Sequence, residues 1–319
     1  MPHPARPPEP HQEPPPVLAV VGATAAGKSE VALGLAERLG GEVVNTDAMQ
    51  LYRGMDIGTA KLAPAERRGV RHHLLDVLDV TETASVATFQ REARAVVADL
   101  RARGVVPVLV GGSALYTRAV VDTLEFPGTD PVVRARLEAE LDDVGPAVLH
   151  ARLAGLDPVA AAGIEPGNGR RTVRALEVVE ITGRPFSASM PEPTYVEPAT
   201  LQLGVEADRA VLDARIAARV DAMYDAGLLA EVERLLAAGL AEGRTASRAI
   251  GYREAAAHLA GELTEAEARE RTVVATRRFV RRQDAWFRKD PRVVWVRDLD
   301  EALVEVVSRH AVLRSRARR

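Results

Sequence analysis

The chain has 319 residues, 47% of them apolar and 27% charged, a balance that excludes wholesale disorder or a fibrous protein and suits about two globular domains. It contains no cysteine, which removes disulfides, zinc–thiolate sites, iron–sulfur clusters and thiol nucleophiles together. The formal net charge of −3 confines any nucleic-acid contact to a local basic patch, and no apolar run approaches the roughly 18 residues of a membrane span.

Residues 1–16 hold eight prolines and no apolar run, so they read as a disordered, proline-rich extension rather than an export signal, with order beginning at Val17. A cytoplasmic location is therefore expected. Val17–Val21 is a run typical of a strand buried on both faces. A turn over Gly22–Ser29 leads into a helix over 29–39, stopped by Gly40 and Gly41. Strands are expected over Glu42–Thr46, ending at Asp47, and over His73–Val80. A helix over 85–103 ends at Gly104, and the strand Val105–Val110 runs into Gly111-Gly112-Ser113. Strands alternating with helices imply a parallel sheet with right-handed crossovers.

The pattern changes after about Phe126. Residues 131–184 give helices broken by Gly, Pro and Asp, and 185–198 read as a loop. Leu201–Val205 reads as a strand, 208–283 as helical with short breaks, and Arg292–Val296 as a last strand before a helix and a basic end. The expected organisation is a core over 17–126, completed by about 199–319, with a mainly helical insertion over 127–198.

Gly22-Ala23-Thr24-Ala25-Ala26-Gly27-Lys28-Ser29 fits G-x-x-x-x-G-K-[ST], with a buried strand before it and a helix after it. Glycines let the backbone wrap a phosphate, and backbone N–H groups at a helix N-terminus face the anion. Only three of the 42 basic residues are lysines, Lys28, Lys61 and Lys289, and the one in this loop offers a compact charge that arginine cannot replace. The Ser29 hydroxyl can ligate Mg²⁺. Such a loop indicates a polyphosphate; whether phosphoryl transfer follows, or diphosphate simply leaves, it does not say. Asp47 should reach the carboxyl edge of the sheet beside this loop. Spacing leaves its role open between a Mg²⁺ ligand, a general base and a helix N-cap.

Asp47–Lys61 (DAMQLYRGMDIGTAK) after this loop resembles the tRNA dimethylallyltransferases, also called isopentenyltransferases. Further matches follow in order: Arg71–Asp79, Leu109–Tyr116, Arg174–Val178, Ala249–Arg253 and Arg281–Arg288. The resemblance spans about Val17 to Val296. It implies an α/β fold, with a P-loop NTPase-like parallel sheet core flanked by helices and a helical insertion domain. It implies transfer of a dimethylallyl group from dimethylallyl diphosphate to N6 of adenosine 37, beside the anticodon of tRNAs reading codons that start with U. Mg²⁺ is the implied cofactor, the tRNA anticodon stem-loop the implied partner, and a monomer the expected state.

The same resemblance gives the donor's diphosphate to Thr24–Ser29, within the loop that starts at Gly22, and the base role to Asp47. Asp47, Ala48, Met49 and Gln50, Arg170, Arg171 and Arg174, Arg248, Gly251, Tyr252 and Arg253, and Arg281–Arg288 match tRNA-contacting segments. Ser113 stands where threonine is usual and is assigned to catalysis and the RNA; Arg134 matches an arginine near the RNA. Ala48 replaces a common serine, and Arg281 a common lysine.

The chemistry needs such parts. An exocyclic adenine amine must lose a proton as its bond to carbon forms, and a carboxylate can take it. Charge developing on the diphosphate needs cations. Arg215 and Arg219, at i and i+4 on one helix face, are candidates for it, or else a solvated face. Residues 269–292 carry nine Lys/Arg against three acids, with Arg278, Arg281, Arg282 and Lys289 near one face, expected to meet RNA phosphates. Phe279, Gln283 and Trp286 fall on another face and read as core in preference to a base-stacking platform, although Gln283, Trp286 and Arg288 lie in the tRNA-matching segment. Arg314, Arg316, Arg318 and Arg319 read as a solvated tail. Two other readings compete: a small P-loop kinase, which would share the loop and arginines but not the Asp47–Lys61 block, and a non-enzymatic RNA-binding protein, which would leave Asp47 unused.

Overall fold

Apolar runs such as Val17–Val21 cannot face water on either side, and they form the middle of a sheet. A computed structural model of the chain describes residues 13–189 and 193–310. Residues 1–12 of the extension, and Arg314, Arg316, Arg318 and Arg319, lie outside the described residues. In chain order the elements are β1 (Leu18–Val21), α1 (Lys28–Leu39), β2 (Gly41–Asn45), β3 (His72–His73), α2 (Val86–Ala102), β4 (Val106–Val110), α3 (Ala114–Val121), α4 (Pro131–Val144), α5 (Pro146–Leu156), α6 (Pro158–Ala162) and α7 (Gly169–Thr182). Then come β5 (Leu201–Val205), α8 (Arg209–Asp225), α9 (Leu228–Ala237), α10 (Tyr252–Leu259), α11 (Glu265–Phe287), β6 (Val293–Val296) and α12 (Leu299–Arg309).

The six strands form one sheet in the order β3-β2-β4-β1-β5-β6, every neighbouring pair parallel. All four residues of β1 are buried, as are all five of β5, because helices cover the sheet. Leu18, Val20, Val108, Leu203 and Val205 pack with Leu35 and Leu39 of α1, Leu212 and Ile216 of α8, Val280 of α11 and Val306 of α12. A second cluster joins Tyr52 and Met55 to Val220, Tyr224, Leu228, Val232 and Tyr252 from α8, α9 and α10.

The chain divides into two compact units. One takes the described residues up to Ala84, Arg91–Thr117 and those from Glu197 on, and holds the whole sheet. The other takes Ser85–Gln90 and Arg118–Val196. Its core is Leu137, Leu149, Leu153, Ile164, Val173 and Leu176 from α4, α5 and α7 with the turn before α7. The second unit starts ahead of residue 127 because its two ends pair: Thr123 N–H donates to the Thr194 carbonyl and Val196 N–H to the Val121 carbonyl, each at 2.9 Å.

Two expectations are corrected, and one element is new. Order begins before Val17: Pro15 and Pro16 are buried, and the Pro15 carbonyl accepts from Arg101 Nε at 2.9 Å. The strand expected over His73–Val80 shrinks to His72–His73, because Leu74 and Asp76 take positive φ angles of 60° and 57° that break an extended run. The helix over 114–121, unforeseen in the sequence, comes directly after the Gly111-Gly112-Ser113 turn.

Candidate active site

Parallel strands carry the segments at their carboxyl ends to one edge, and β4 lies between β1 and β2, so the segments after these three strands are neighbours there. After β1 comes Gly22–Ser29. Gly22 has φ 131°, and a Cβ on it would meet the Val205 carbonyl oxygen at 3.0 Å; Gly27 has φ 100°. Both positions need glycine. Ala25 also has a positive φ, 67°, a strain typical of functional loops. Lys28 Nζ donates to the Ala23 carbonyl at 2.7 Å. Burial lowers the Lys28 ammonium to about 8, with Asp47 opposing the shift and Arg219 adding to it. Ser29 is exposed in the first turn of α1.

Asp47 comes after β2. The buried side chain of Asn45 holds it: Asp47 N–H donates to Asn45 Oδ1 at 2.8 Å, while Asn45 Nδ2 donates to the Asp47 and Leu74 carbonyls at 3.0 and 2.9 Å. The Asp47 carboxylate accepts from Met49 N–H at 2.9 Å and acts electrostatically on Lys28, Arg219 and Tyr116. Ser113, after β4, sits against the same segment, its hydroxyl accepting from Ala48 N–H at 3.4 Å. From α8, Arg215 donates to the Ala25 carbonyl of the loop and Arg219 to the Thr59 carbonyl, each at 3.4 Å. Arg219 is half-buried here, whereas Arg215 is exposed and reaches the loop from a solvated face. Burial lowers the Arg219 guanidinium from its ordinary value, and Asp47 counters that. Gln50 Nε2 donates to the same Thr59 carbonyl at 3.1 Å.

The residues expected to touch RNA divide by burial. On α11, Arg278, Arg281 and Arg282 are exposed, Arg282 over the Phe279 ring. Arg288 is exposed but partnered, with Asp284 at 3.0 Å and the Trp295 ring at 4.4 Å. Trp286 is 38% exposed and Phe279 half-buried, so the core reading of the stripe holds for Gln283 and is corrected for Trp286: the buried face of α11 is Ala268, Thr272, Val280, Gln283 and Phe287. Gln283 is only 4% exposed and bonds inside the protein, which removes its side chain from the RNA-facing set. Tyr252 is likewise interior, its hydroxyl donating to Glu231 Oε1 at 2.6 Å, and Gly251 is buried; Arg248 and Arg253 remain exposed. In the second unit Arg170 and Arg171 are exposed in the first turn of α7, where positive charge opposes the helix dipole. Arg134 and Arg174 instead grip the buried Glu177 carboxylate, and Arg174 also holds the Pro127 and Gly128 carbonyls.

A family model described as IPP transferase matches residues 50–290, most of the chain. The chain belongs to the IPP transferase family. It is similar to proteins named tRNA dimethylallyltransferase: one from Nocardioides sp. is 69% identical over 290 residues, covering 91% of this chain and 94% of that protein. One from Salinispora arenicola is 63% identical over 289 residues, covering 90% and 84%. Among solved structures, a tRNA isopentenylpyrophosphate transferase from Bacillus halodurans matches with TM-score 0.67 at 38% identity, over 95% of this chain and 98% of that one. A eukaryotic dimethylallyltransferase acting on tRNA matches with TM-score 0.77 at 26% identity, over 92% and 78%.

Sequence reasoning missed two supports of this IPP transferase site. Asn45 orients Asp47; its signal was an amide closing an apolar strand. Glu231 on α9 accepts from the backbone N–H groups of Asp56, Ile57 and Gly58 at 3.2, 2.9 and 3.3 Å, and so fixes the segment that ends in the Thr59 carbonyl. Its signal was a carboxylate on the apolar face of α9, three residues after Leu228 and four before Leu235. For a cation, the IPP transferase site offers hard oxygens, the Ser29 hydroxyl and the Asp47 carboxylate. Among the described residues no group of three His, Asp or Glu could hold a metal. Mg²⁺ usually takes one or two protein oxygens together with substrate phosphates, so this donor set fits it.

Proposed function

We propose that this IPP transferase moves a dimethylallyl group from dimethylallyl diphosphate to N6 of adenosine 37 in tRNAs that read codons starting with U. The observation that carries the reading is one carboxylate, Asp47, within electrostatic reach of Lys28 and Arg219 at a P-loop. An anion cradle and a proton acceptor then share one site. Relatives as similar as 69% identical bear the name tRNA dimethylallyltransferase, which supports it. The kinase reading is not favoured, because the family match starts at residue 50 and so takes in most of the Asp47–Lys61 block that distinguishes the two.

The target base leaves its stack to reach Asp47. Its N6 lone pair attacks C1 of the allyl group as the C1–O bond breaks, and the electron pair of that bond leaves with the diphosphate. Asp47 takes the proton that N6 loses, held on line by Asn45. Lys28 and Arg219 stabilise the charge gathering on the diphosphate, and Ser113 keeps the Ala48 end of the acceptor segment in place. Mg²⁺, when bound through Ser29, supplies further charge neutralisation. Exposed Arg278, Arg281, Arg282, Arg170, Arg171, Arg248 and Arg253 meet the tRNA backbone. The protein acts as a monomer in the cytoplasm.

The test gives unmodified tRNA either labelled dimethylallyl diphosphate or γ-labelled ATP, each with Mg²⁺. Label should enter tRNA from the allylic donor alone. Phosphoryl transfer from ATP with no prenyl transfer would reverse the assignment. Asp47→Asn should lower kcat by about 10²–10⁴-fold while tRNA affinity holds; unchanged turnover would remove Asp47 from the base role.

A further inference from the structure

We infer that Gln283 is a positioning residue that ties the P-loop to the Gly111-Gly112-Ser113 turn, and not a contact to RNA, although it stands among arginines that face outward. The inference rests on the proposed prenyl transfer for what the two tied loops do. Thr24 N–H donates to Gln283 Oε1 at 2.9 Å, and Gln283 Nε2 donates to the Gly112 carbonyl at 2.9 Å. A backbone donor on one side and a carbonyl on the other fix which way the amide points. A carboxylate there could only accept, and a lysine could only donate. The side chain is 4% exposed, so losing either bond would strand a buried polar group.

The strut is also fitted sterically. A Cβ on Gly112 would lie 2.2 Å from Gln283 Nε2, so glycine is required there for the amide to reach the carbonyl. Thr24 begins the part of the P-loop assigned to the donor. Gly112 precedes Ser113, whose hydroxyl accepts from Ala48 beside Asp47. One amide on α11 thereby sets the spacing between the diphosphate cradle and the segment that carries the proton acceptor. Its neighbours Arg281 and Arg282 are exposed. A single turn of α11 thus has an outer side that can bind RNA and an inner side that holds the reaction geometry.

The experiment compares the wild-type chain with Gln283→Met, which keeps the volume and loses both hydrogen bonds. Three quantities are measured: kcat and KM for prenyl transfer, the affinity of tRNA alone, and the affinity of inorganic diphosphate by calorimetry. Expected are a fall in kcat of roughly 10- to 100-fold, diphosphate binding weaker by about fivefold, and tRNA affinity within about twofold of wild type. Weaker tRNA binding with kcat intact at saturation would overturn the inference, since Gln283 would then be an RNA contact. A lower melting temperature with kcat and diphosphate affinity unchanged would also overturn it, leaving only packing. If Gln283→Met does not fold, Gly112→Ala breaks the same strut from its other end and must give the same kinetic signature. A wild-type chain that transfers no prenyl group would defeat the functional reading alone, and the diphosphate comparison would still decide the strut.

Discussion

At the scale of single residues, Lys28 has two opposite pH dependences. Its folded value near 8 lies below the ordinary lysine value of 10.5. Between these values the unfolded chain binds more protons than the folded one, so stability rises with pH across that window, and below about 8 the cost of burying the charge is present in full. Donor binding runs the other way. The free loop loses its positive charge as pH passes about 8, so affinity for dimethylallyl diphosphate should fall by up to about tenfold per pH unit above that point. Calorimetry at a series of pH values checks this; Lys28→Met should bind weakly at every pH and show no such break. The sequence made Gly22–Ser29 and Asp47 legible because their spacing is dictated by backbone geometry at a strand end. It could not reveal that Asn45 and Gln283 hold these parts. A buried amide and an exposed one are the same letter, and only the packing of distant strands tells them apart.

Among the elements, α11 shows how a correct helix can carry a misplaced face. The basic outer face was legible from charge alone. Arg278→Ala with Arg282→Ala should weaken tRNA binding and lower its salt slope by about 0.7–0.9 for each phosphate left without its arginine, read by titration at several salt concentrations. The inner face was read correctly at Gln283 but drawn too far toward Phe279 and Trp286 by their aromatic rings, whereas the buried row runs through Val280, Gln283 and Phe287. Hydrophobicity marks what a side chain resembles; the neighbouring strands decide which row is covered. The Glu231 clamp makes a second prediction at this scale. Burial, reinforced by Glu231, raises the Tyr252 hydroxyl well above its ordinary range, so it stays a donor. Tyr252→Phe leaves that carboxylate one donor short and should cost about 1–3 kcal/mol in denaturant unfolding, with an unchanged slope. A Cβ on Gly58 would press to 2.4 Å from the Tyr252 ring, so Gly58→Ala should disturb the same clamp and reduce turnover through Thr59, Gln50 and Arg219.

For the whole molecule, the parallel sheet and the helical insertion were both legible, the first from alternating periodicities, the second from their loss after Phe126. The exact ends of the second unit were not, because they depend on pairings between residues some seventy positions apart in the chain. Within the second unit the fully buried Glu177 carboxylate is the anchor. Burial alone would raise its pKa, but Arg134, Arg174 and the Asp130 N–H outweigh that and hold it below the ordinary glutamate value. Glu177→Ala takes the buried partner from Arg134 and one of three acceptors from Arg174, and should destabilise this unit by about 3 kcal/mol, followed by hydrogen exchange on α4 and α7.

The bonds from Thr123 to Thr194 and from Val196 to Val121 have an evolutionary corollary. A segment whose entry and exit already touch is a cassette: it can be gained, lost or exchanged without moving the ends it was spliced into. Joining Val121 to Val196 through a hairpin turn of about two to four residues should yield a minimal chain that still melts cooperatively and binds diphosphate, but has lost the share of tRNA affinity that Arg170 and Arg171 contribute. Swapping in the corresponding cassette of a relative would then change that share of tRNA affinity while leaving the prenyl chemistry where it is.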